Sequence, residues 1–326
     1  MRARTWKACG LVLLAGFITA PAAAQSYPTR PVTMIVPYAA GGATDVIARL
    51  TAQGLTAALG QSFVVENRGG GGGMIGVQGA ARAAPDGYTL LFSSTGPATI
   101  SPLLFKQLGF DPLAKLEPIV QVASSPAVLL VRKSLPVKTV DDLIALSKKS
   151  PGSLNMASAG MGSLEHLIGE VFQAKNGIKW THVPFRGSGP AFGELIAERV
   201  DVMVDVIPVA APLVNGGQVR ALAVMAPKRS KQLPDVPTLG ELEFKGLDFA
   251  GWHALFAPKG TPAEVIRKVN AAVNSYIDAP DTQERLEKMG ANSDGGTSAQ
   301  LGERMRSELQ EWAEVIRNVG IVAEGN

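Results

Sequence analysis

The sequence predicts an α/β fold of two lobes, each a mostly parallel sheet flanked by helices, with a ligand cleft between them. Three observations lead there. Short β-branched runs alternate with longer stretches of helical period, the pattern of strand–helix–strand units. No internal repeat and no flexible linker cuts the 326 residues into two halves. Two extended segments, residues 118–124 and 247–255, are instead placed to carry the chain across and back. Residues 25–123 and 253–326 then form one discontinuous lobe, and residues 124–252 form the other. Paired crossing strands make a hinge, and the cleft it controls is the natural place for a small ligand.

The elements follow in order. Val32, Thr33, Met34, Ile35 and Val36 read as a buried strand stopped by Pro37. After Gly41 and Gly42, apolar residues at helical spacing (Val46, Ile47, Leu50, Leu55, Leu59) predict a helix over residues 44–59. Phe63, Val64 and Val65 make a second strand, residues 74–83 a helix and residues 88–92 a third strand. Later strands are expected at 127–131, 154–157, 202–206 and 219–224. Thr139 with Asp142 is a capping box, a hydroxyl and an acid satisfying each other's free amides. Thr261, Pro262 and Glu264 repeat that signal with proline at the first helical position, predicting a helix to about Asp278. A last amphipathic helix covers 298–318, with Leu301, Met305, Leu309, Trp312 and Ile316 on one face.

Residues 1–24 read as a Sec-type signal peptide and stand outside the fold. Arg2, Arg4 and Lys7 precede an uncharged, mostly apolar stretch over 8–19, and Ala20-Pro21-Ala22-Ala23-Ala24 ends in a small-x-small pattern before Gln25. The apolar run is shorter than the ~20 residues of a bilayer span, so the sequence predicts periplasmic delivery and no stable membrane anchor. Taking the leader's three basic residues from the chain's 31 leaves 28, against 28 acidic ones. A formally neutral protein with no basic block is not built for nucleic acid. The one cysteine, Cys9, lies in the leader, so the mature chain has no thiol, disulfide or cysteine metal site and depends on its core.

Catalytic patterns are missing. His166, His182 and His253 are not at metal-ligand spacing, and there is no G-x-S-x-G elbow and no P-loop. These absences predict no metal, no cofactor and no enzymatic activity. Ser163 and His166 lie three apart, but serine is a leading N-cap, and Ser163 reads as the start of the helix that continues through Leu167 and Val171. Gly71, Gly73 and Gly76 spell a G-x-G-x-x-G after a strand, yet the acid that would hold a ribose ~20 residues on is absent. The glycine run either brings backbone close to a ligand, at Gly72 and Gly73, or makes a tight turn with positive φ.

Similar loops recur. Tyr38-Ala39-Ala40-Gly41-Gly42-Ala43-Thr44 joins a strand to a helix, and Asp45 after it complements that helix dipole. Ser158-Ala159-Gly160-Met161-Gly162-Ser163 does the same in the other lobe. With the glycine run and Ser94 and Thr95, these loops offer small residues, hydroxyls and helix-start amides to one cleft. Such donors suit a carboxylate, whose oxygens accept hydrogen bonds and cannot give them.

Several longer motifs carry a family resemblance. Tyr27-Pro28-Thr29-Arg30-Pro31-Val32 runs into Ile35-Val36-Pro37-Tyr38-Ala39-Ala40-Gly41-Gly42-Ala43-Thr44-Asp45. Val65-Glu66-Asn67-Arg68-Gly69, Pro85-Asp86-Gly87-Tyr88-Thr89-Leu90, Val183-Pro184-Phe185-Arg186-Gly187 and Leu233-Pro234-Asp235-Val236-Pro237-Thr238 follow in order. As a set they closely resemble Bug-type proteins, the substrate-binding components of tripartite tricarboxylate transporters. The resemblance implies a type II periplasmic-binding-protein fold that closes over a small organic acid and passes it to membrane subunits. It implies ligand contacts from the loop at Tyr38–Thr44, through ordered water, and from Ser158, Ala159, Gly160 and Ser163 with the neighbouring His166. It also implies a contact at Asp205, which either selects a ligand carrying a donor or caps a turn. Tyr38 departs from the usual phenylalanine and adds a hydroxyl. Arg186 either clamps a second carboxylate or braces the loop between lobes, and Trp252 and His253 read as packing. A periplasmic sensor that presents its closed form to a receptor kinase fits the same sequence. The ligand is a mono-, di- or tricarboxylate, aromatic acids and amino acids included, and a monomer suits a protein that opens and closes freely.

Overall fold

The computed structural model describes residues 27–105 and 109–321. The leader, its cleavage site and Cys9 lie outside the described residues, as do residues 322–326.

The chain has a two-lobe α/β fold. In the first lobe β1 (Val32–Val36), α1 (Ala43–Leu59), β2 (Phe63–Asn67), α2 (Met74–Ala81) and β3 (Thr89–Ser94) alternate as their periodicity predicts, and β1 runs parallel to both β2 and β3. An irregular helical turn over Gly96–Ile100 and the short helices α3 (Ser101–Leu104) and α4 (Pro112–Lys115) lead into β4 (Leu116–Arg132). The second lobe contains α5 (Val140–Lys149), β5 (Asn155–Ser158), α6 (Leu164–Asn176), β6 (Thr181–Pro184), α7 (Ser188–Ile196), β7 (Val202–Val206), α8 (Ile207–Asn215) and β8 (Val219–Met225). Here β5 is parallel to β6 and β7. The chain returns through β9 (Ala250–Pro258) and ends with α9 (Ala263–Ile277), α10 (Pro280–Met289), β10 (Asn292–Gly295) and α11 (Ser298–Val319).

Three strands of each lobe are thus mutually parallel, and the antiparallel members are the crossing strands and their partners. β4 is 17 residues long and belongs to both sheets. Its first part pairs with β9 and β10, and from Ala127 onward it pairs with β7 and β8. The exchange falls at Pro126, opposite Ala250. Proline brings no amide to the ladder, which suits a position where a strand changes partners. The next amide, Ala127 N–H, donates to Phe249 O at 2.9 Å.

Each sheet is covered on both faces. In the first lobe, Met34, Ile47, Leu55, Phe92 and Val269 fill one side, and Ile35, Trp252, Phe256 and Met305 the other. In the second, Leu129, Met156, Phe172 and Trp180 lie on one side and Val128, Phe192 and Ile207 on the other. α11 contributes to both lobes: Leu301 and Met305 pack in the first, while Trp312, Val315 and Ile316 pack against the second.

Helix starts agree with the sequence in one case and differ in another. Thr139 Oγ1 accepts from Asp142 N–H at 3.1 Å, and the Asp142 carboxylate accepts from Thr139 N–H at 3.0 Å. Thr261 forms no such box. Its hydroxyl donates to Pro258 O at 2.8 Å, and α9 begins at Ala263 with no side-chain cap. Gly260 has φ +89°, which tightens that turn and brings the carbonyl within reach before the helix starts. A box absent from the sequence reading opens α11, between Thr297 and Gln300.

Phe172 is fully buried and stacks on Trp180 with ring centroids 5.5 Å apart. Phe172→Ala should cost about 3–5 kcal/mol, since a close-packed core relaxes only partly around the lost ring. Denaturant unfolding would show this as a lower midpoint at unchanged slope.

Candidate functional site

A cavity lies between the lobes where the strand ends and helix starts meet. The first lobe supplies Tyr38, Gly42, Ala43 and Thr44 from the β1–α1 turn, and Ser94 and Thr95 from the end of β3. The second supplies Ala159, Leu164 and Glu165 around the start of α6, Ser188 at the start of α7, and Val206 at the end of β7. Gly251, Trp252 and His253 of the crossing strand complete the wall. The enclosed volume is ≈20 Å³, enough for a water molecule and smaller than any organic acid.

The donors are well placed for an anion. α1 begins after Gly42 and α7 after Gly187, neither with a side-chain cap, so both present free amides. These two helix starts face each other across the lobes: a Cβ on Gly42 would lie 3.3 Å from Ser188 Cβ. Thr95 Oγ1 accepts from Trp252 N–H at 3.0 Å, which leaves its own hydrogen to donate into the cavity. Tyr38 is buried, and burial followed by the nearby Glu165 carboxyl holds its hydroxyl well above the usual range, so it remains a donor. Asp45 sits behind the turn. Burial would raise its carboxyl, but Arg49, Asn67 and the Gly41 amide hold it below the ordinary value, and its role is to fix the turn.

Of the residues read from the sequence, the structure brings Tyr38, Gly42, Thr44, Ser94, Thr95 and Ala159 to the cavity wall. The others occupy different places. Ala39 N–H is taken by Arg186 O at 2.8 Å, and Ala40 and Gly41 border an outer groove with Phe192 and Pro208. Gly72 and Gly73 have φ of +60° and +91°, and a Cβ on Gly72 would lie 1.9 Å from Met161 O of the other lobe. The glycine run is therefore a left-handed turn that lets the lobes touch through backbone. Gly160 belongs to the same contact, since its Cβ would meet Gly72 Cα at 3.3 Å.

Ser158, Ser163 and His166 hold the second-lobe loop. Ser158 Oγ lies 2.6 Å from His182 Nε2 and accepts from Gly160 N–H, while Ser163 Oγ accepts from His166 N–H as the N-cap of α6. The His166 ring stacks on His182 at 4.0 Å, and its Nδ1 accepts from Gly162 N–H. Burial, with His182 beside it, takes the His166 pKa down to about 3 and keeps the ring neutral. Arg186 is exposed and reaches the first lobe only through its backbone carbonyl.

Asp205 is 1% exposed. Its Oδ1 accepts from Val206 N–H at 2.7 Å, and Oδ2 has no hydrogen-bond partner among the described residues. Burial and the Glu165 carboxyl push its pKa well up. Glu165, Ser188 and Gly251 are wall residues that the sequence reading passed over, and Trp252 and His253, read as packing, line the wall as well. An acid in the first turn of a helix normally signals the dipole, and that local reading hides what Glu165 faces.

Residues 47–321 match the sequence model of the tripartite tricarboxylate transporter family receptor. The chain belongs to that family. The protein BugT of Bordetella pertussis is 36% identical over 312 residues, covering 95% of this chain and 96% of its own. The structure of the periplasmic binding protein BugD is 36% identical with a TM-score of 0.87, covering 91% of this chain and 99% of that one. An R. palustris protein solved with adipate is 35% identical with a TM-score of 0.88, covering 91% and 99%. Among the described residues no helix is long and apolar enough to cross a membrane.

The buried carboxyl of Asp205 fixes a pH dependence. Its folded pKa lies above the unfolded value, so its own contribution to stability is lost as pH rises above about 4, whereas the buried histidines, held neutral, contribute in the opposite sense. Asp205→Asn should remove that loss, so that the unfolding free energy of the variant gains relative to the wild type between acid and neutral pH. An unchanged profile would show that another group causes it.

Proposed function

We propose that this receptor captures a small organic carboxylate between its lobes in the periplasm and delivers it to the membrane subunits of a tripartite tricarboxylate transporter. The observation that carries this reading is the pair of uncapped helix starts, α1 and α7, facing one another among hydroxyls in the interlobe cavity. Free amides at helix N-termini attract anions, and in an enclosed site each is worth more than in water. Family membership and the adipate held by the R. palustris relative support the same chemistry. In this reading the carboxylate meets Tyr38, Gly42, Thr44, Ser94, Thr95 and Ser188. The second-lobe residues Ser158, Gly160, Ser163 and His166 shape the loop around it.

Residues 1–24 direct export, residues 25–123 and 253–326 form one lobe, and residues 124–252 form the other. The lobes turn about the β4–β9 crossing, a ligand touching both favours the closed form, and the protein acts as a monomer without catalysis.

A thermal-shift screen of the mature protein against organic acids and their neutral amides tests the reading. A ligand at a hundred times its Kd stabilises the fold by ~2.7 kcal/mol, so one class of acid should raise the melting temperature while its amides do not. Gly42→Val places side-chain atoms against Ser188 and should hold the lobes apart. Its affinity for that acid should drop at least about tenfold by calorimetry, ~1.4 kcal/mol, with little change in the unliganded melting temperature. Unchanged affinity would remove α1 from the site.

A further inference from the structure

A groove of ≈530 Å³ lies on the first lobe, between the starts of α9 and α11 and the beginning of β4, and shares no residue with the interlobe cavity. Leu113, Leu116, Pro118 and Ile266 form its apolar lining. Its flanks are basic. Ala263 and Arg267 stand one turn apart on α9, and Gly302 and Arg306 do the same on α11, so each helix turns a small residue and then an arginine to the groove. Glu117 is the only acid in the lining, and Lys259 Nζ takes it at 3.0 Å. Arg267 and Arg306 are exposed and form no ion pair among the described residues. Glu264 and Glu303 precede the two arginines by three residues but stand outside the lining, and Glu308 is already held by Arg304 and Trp252.

An apolar bed framed by two unpaired guanidinium groups complements an acidic segment that also carries apolar side chains. Arginine grips a carboxylate through two parallel hydrogen bonds and is prominent among the residues that anchor protein interfaces. The chain's own ends do not supply such a segment. Gln25 and Ser26 carry no acid, and the five residues after Ile321 span at most about 17 Å, whereas about 26 Å of helix separates Gly302 from Val319. The whole lining comes from one lobe. A contact spanning both lobes is disturbed whenever they move, whereas this groove keeps its shape at any hinge angle. We propose that the groove docks an acidic segment of the transporter's membrane subunits and holds the receptor there while the other lobe swings. This rests on the delivery proposed above and adds the surface through which it is made.

The test measures binding of the unliganded mature receptor to the membrane subunits in neutral-lipid nanodiscs by surface plasmon resonance, beside empty nanodiscs of neutral and of anionic lipid. Binding to the subunits should weaken as salt is raised, because exposed charges are screened. Arg267→Glu combined with Arg306→Glu should weaken it at least about tenfold, and the matching pair of lysine substitutions should lose less, since lysine keeps the charge but not the fork. Gly302→Leu reaches the same groove without touching a charge. A Cβ there meets only Arg306 and Pro118, both at 3.7 Å, so the longer side chain fills the groove and should also weaken docking. Unchanged melting temperatures in these variants separate lost docking from lost folding. Wild-type affinity in the glutamate double variant would overturn the inference, as would a wild-type receptor that does not bind the subunits. Equal binding to empty anionic nanodiscs would overturn it by assigning the arginines to lipid headgroups. A wild-type dimer in sedimentation that the double variant lacks would do so by assigning the groove to a second copy. Failure of carboxylate capture looks different: no organic acid moves the melting temperature, whereas docking is read here without any ligand.

Discussion

Where β4 and β9 leave one sheet for the other, Ser125 lies opposite Gly251 and Pro126 opposite Ala250, and the site is positioned from this crossing. Two-stranded ribbons twist more strongly than wide sheets, and this one joins the two lobes. It also builds the wall of the cavity. Gly251 sits where any Cβ would lie 2.9 Å from Leu164, which brings the start of α6 against the crossing. Trp252 follows; its backbone amide is held by Thr95 and its indole N–H by Glu308 of α11. Glu308 is in turn paired with Arg304, whose guanidinium lies 5.7 Å from the Trp252 ring. The end of β3, the crossing strand and the last helix are thus joined through one indole.

Closure depends on backbone meeting backbone. Ser101 Oγ lies 2.9 Å from Gly72 O in its own lobe and 3.0 Å from Gly162 O in the other. Gly69 approaches Arg186 O, Gly72 approaches Met161 O, and Gly189 approaches Ala40 O, each too closely for a side chain. These contacts ring the cavity without lining it. They narrow the space around the uncapped helix starts, where a lower local dielectric strengthens charge interactions.

Much of this was legible from local pattern. The strand–helix alternation placed both sheets, and the box at Thr139 was readable because cap and acid are three residues apart. Thr261 carried the same signal, but the turn at Gly260 offered its hydroxyl a nearer carbonyl, and nothing in the spacing reveals that competition. The loops at Tyr38 and Ser158 announced small residues and hydroxyls. Which of them face the cavity depends on how two lobes distant in sequence meet, and the close approach of Gly72 and Gly160 is not visible in either loop alone. Glu165 was missed for the same reason. It lines the cavity, and its carboxyl acts on that of Asp205, forty residues further along the chain.

The last helix has a mechanical consequence. α11 packs its first turns into one lobe and its last turns, through Trp312 and Ile316, onto the other. If the lobes swing as proposed, a rod seated on both halves acts as a torsion bar, because opening has to slide or lift one end from its seat. The range of the swing and the force returning the lobes are therefore set some distance from the ligand. Repacking of Trp312 against Phe249 could retune uptake without altering a single atom of the binding cavity.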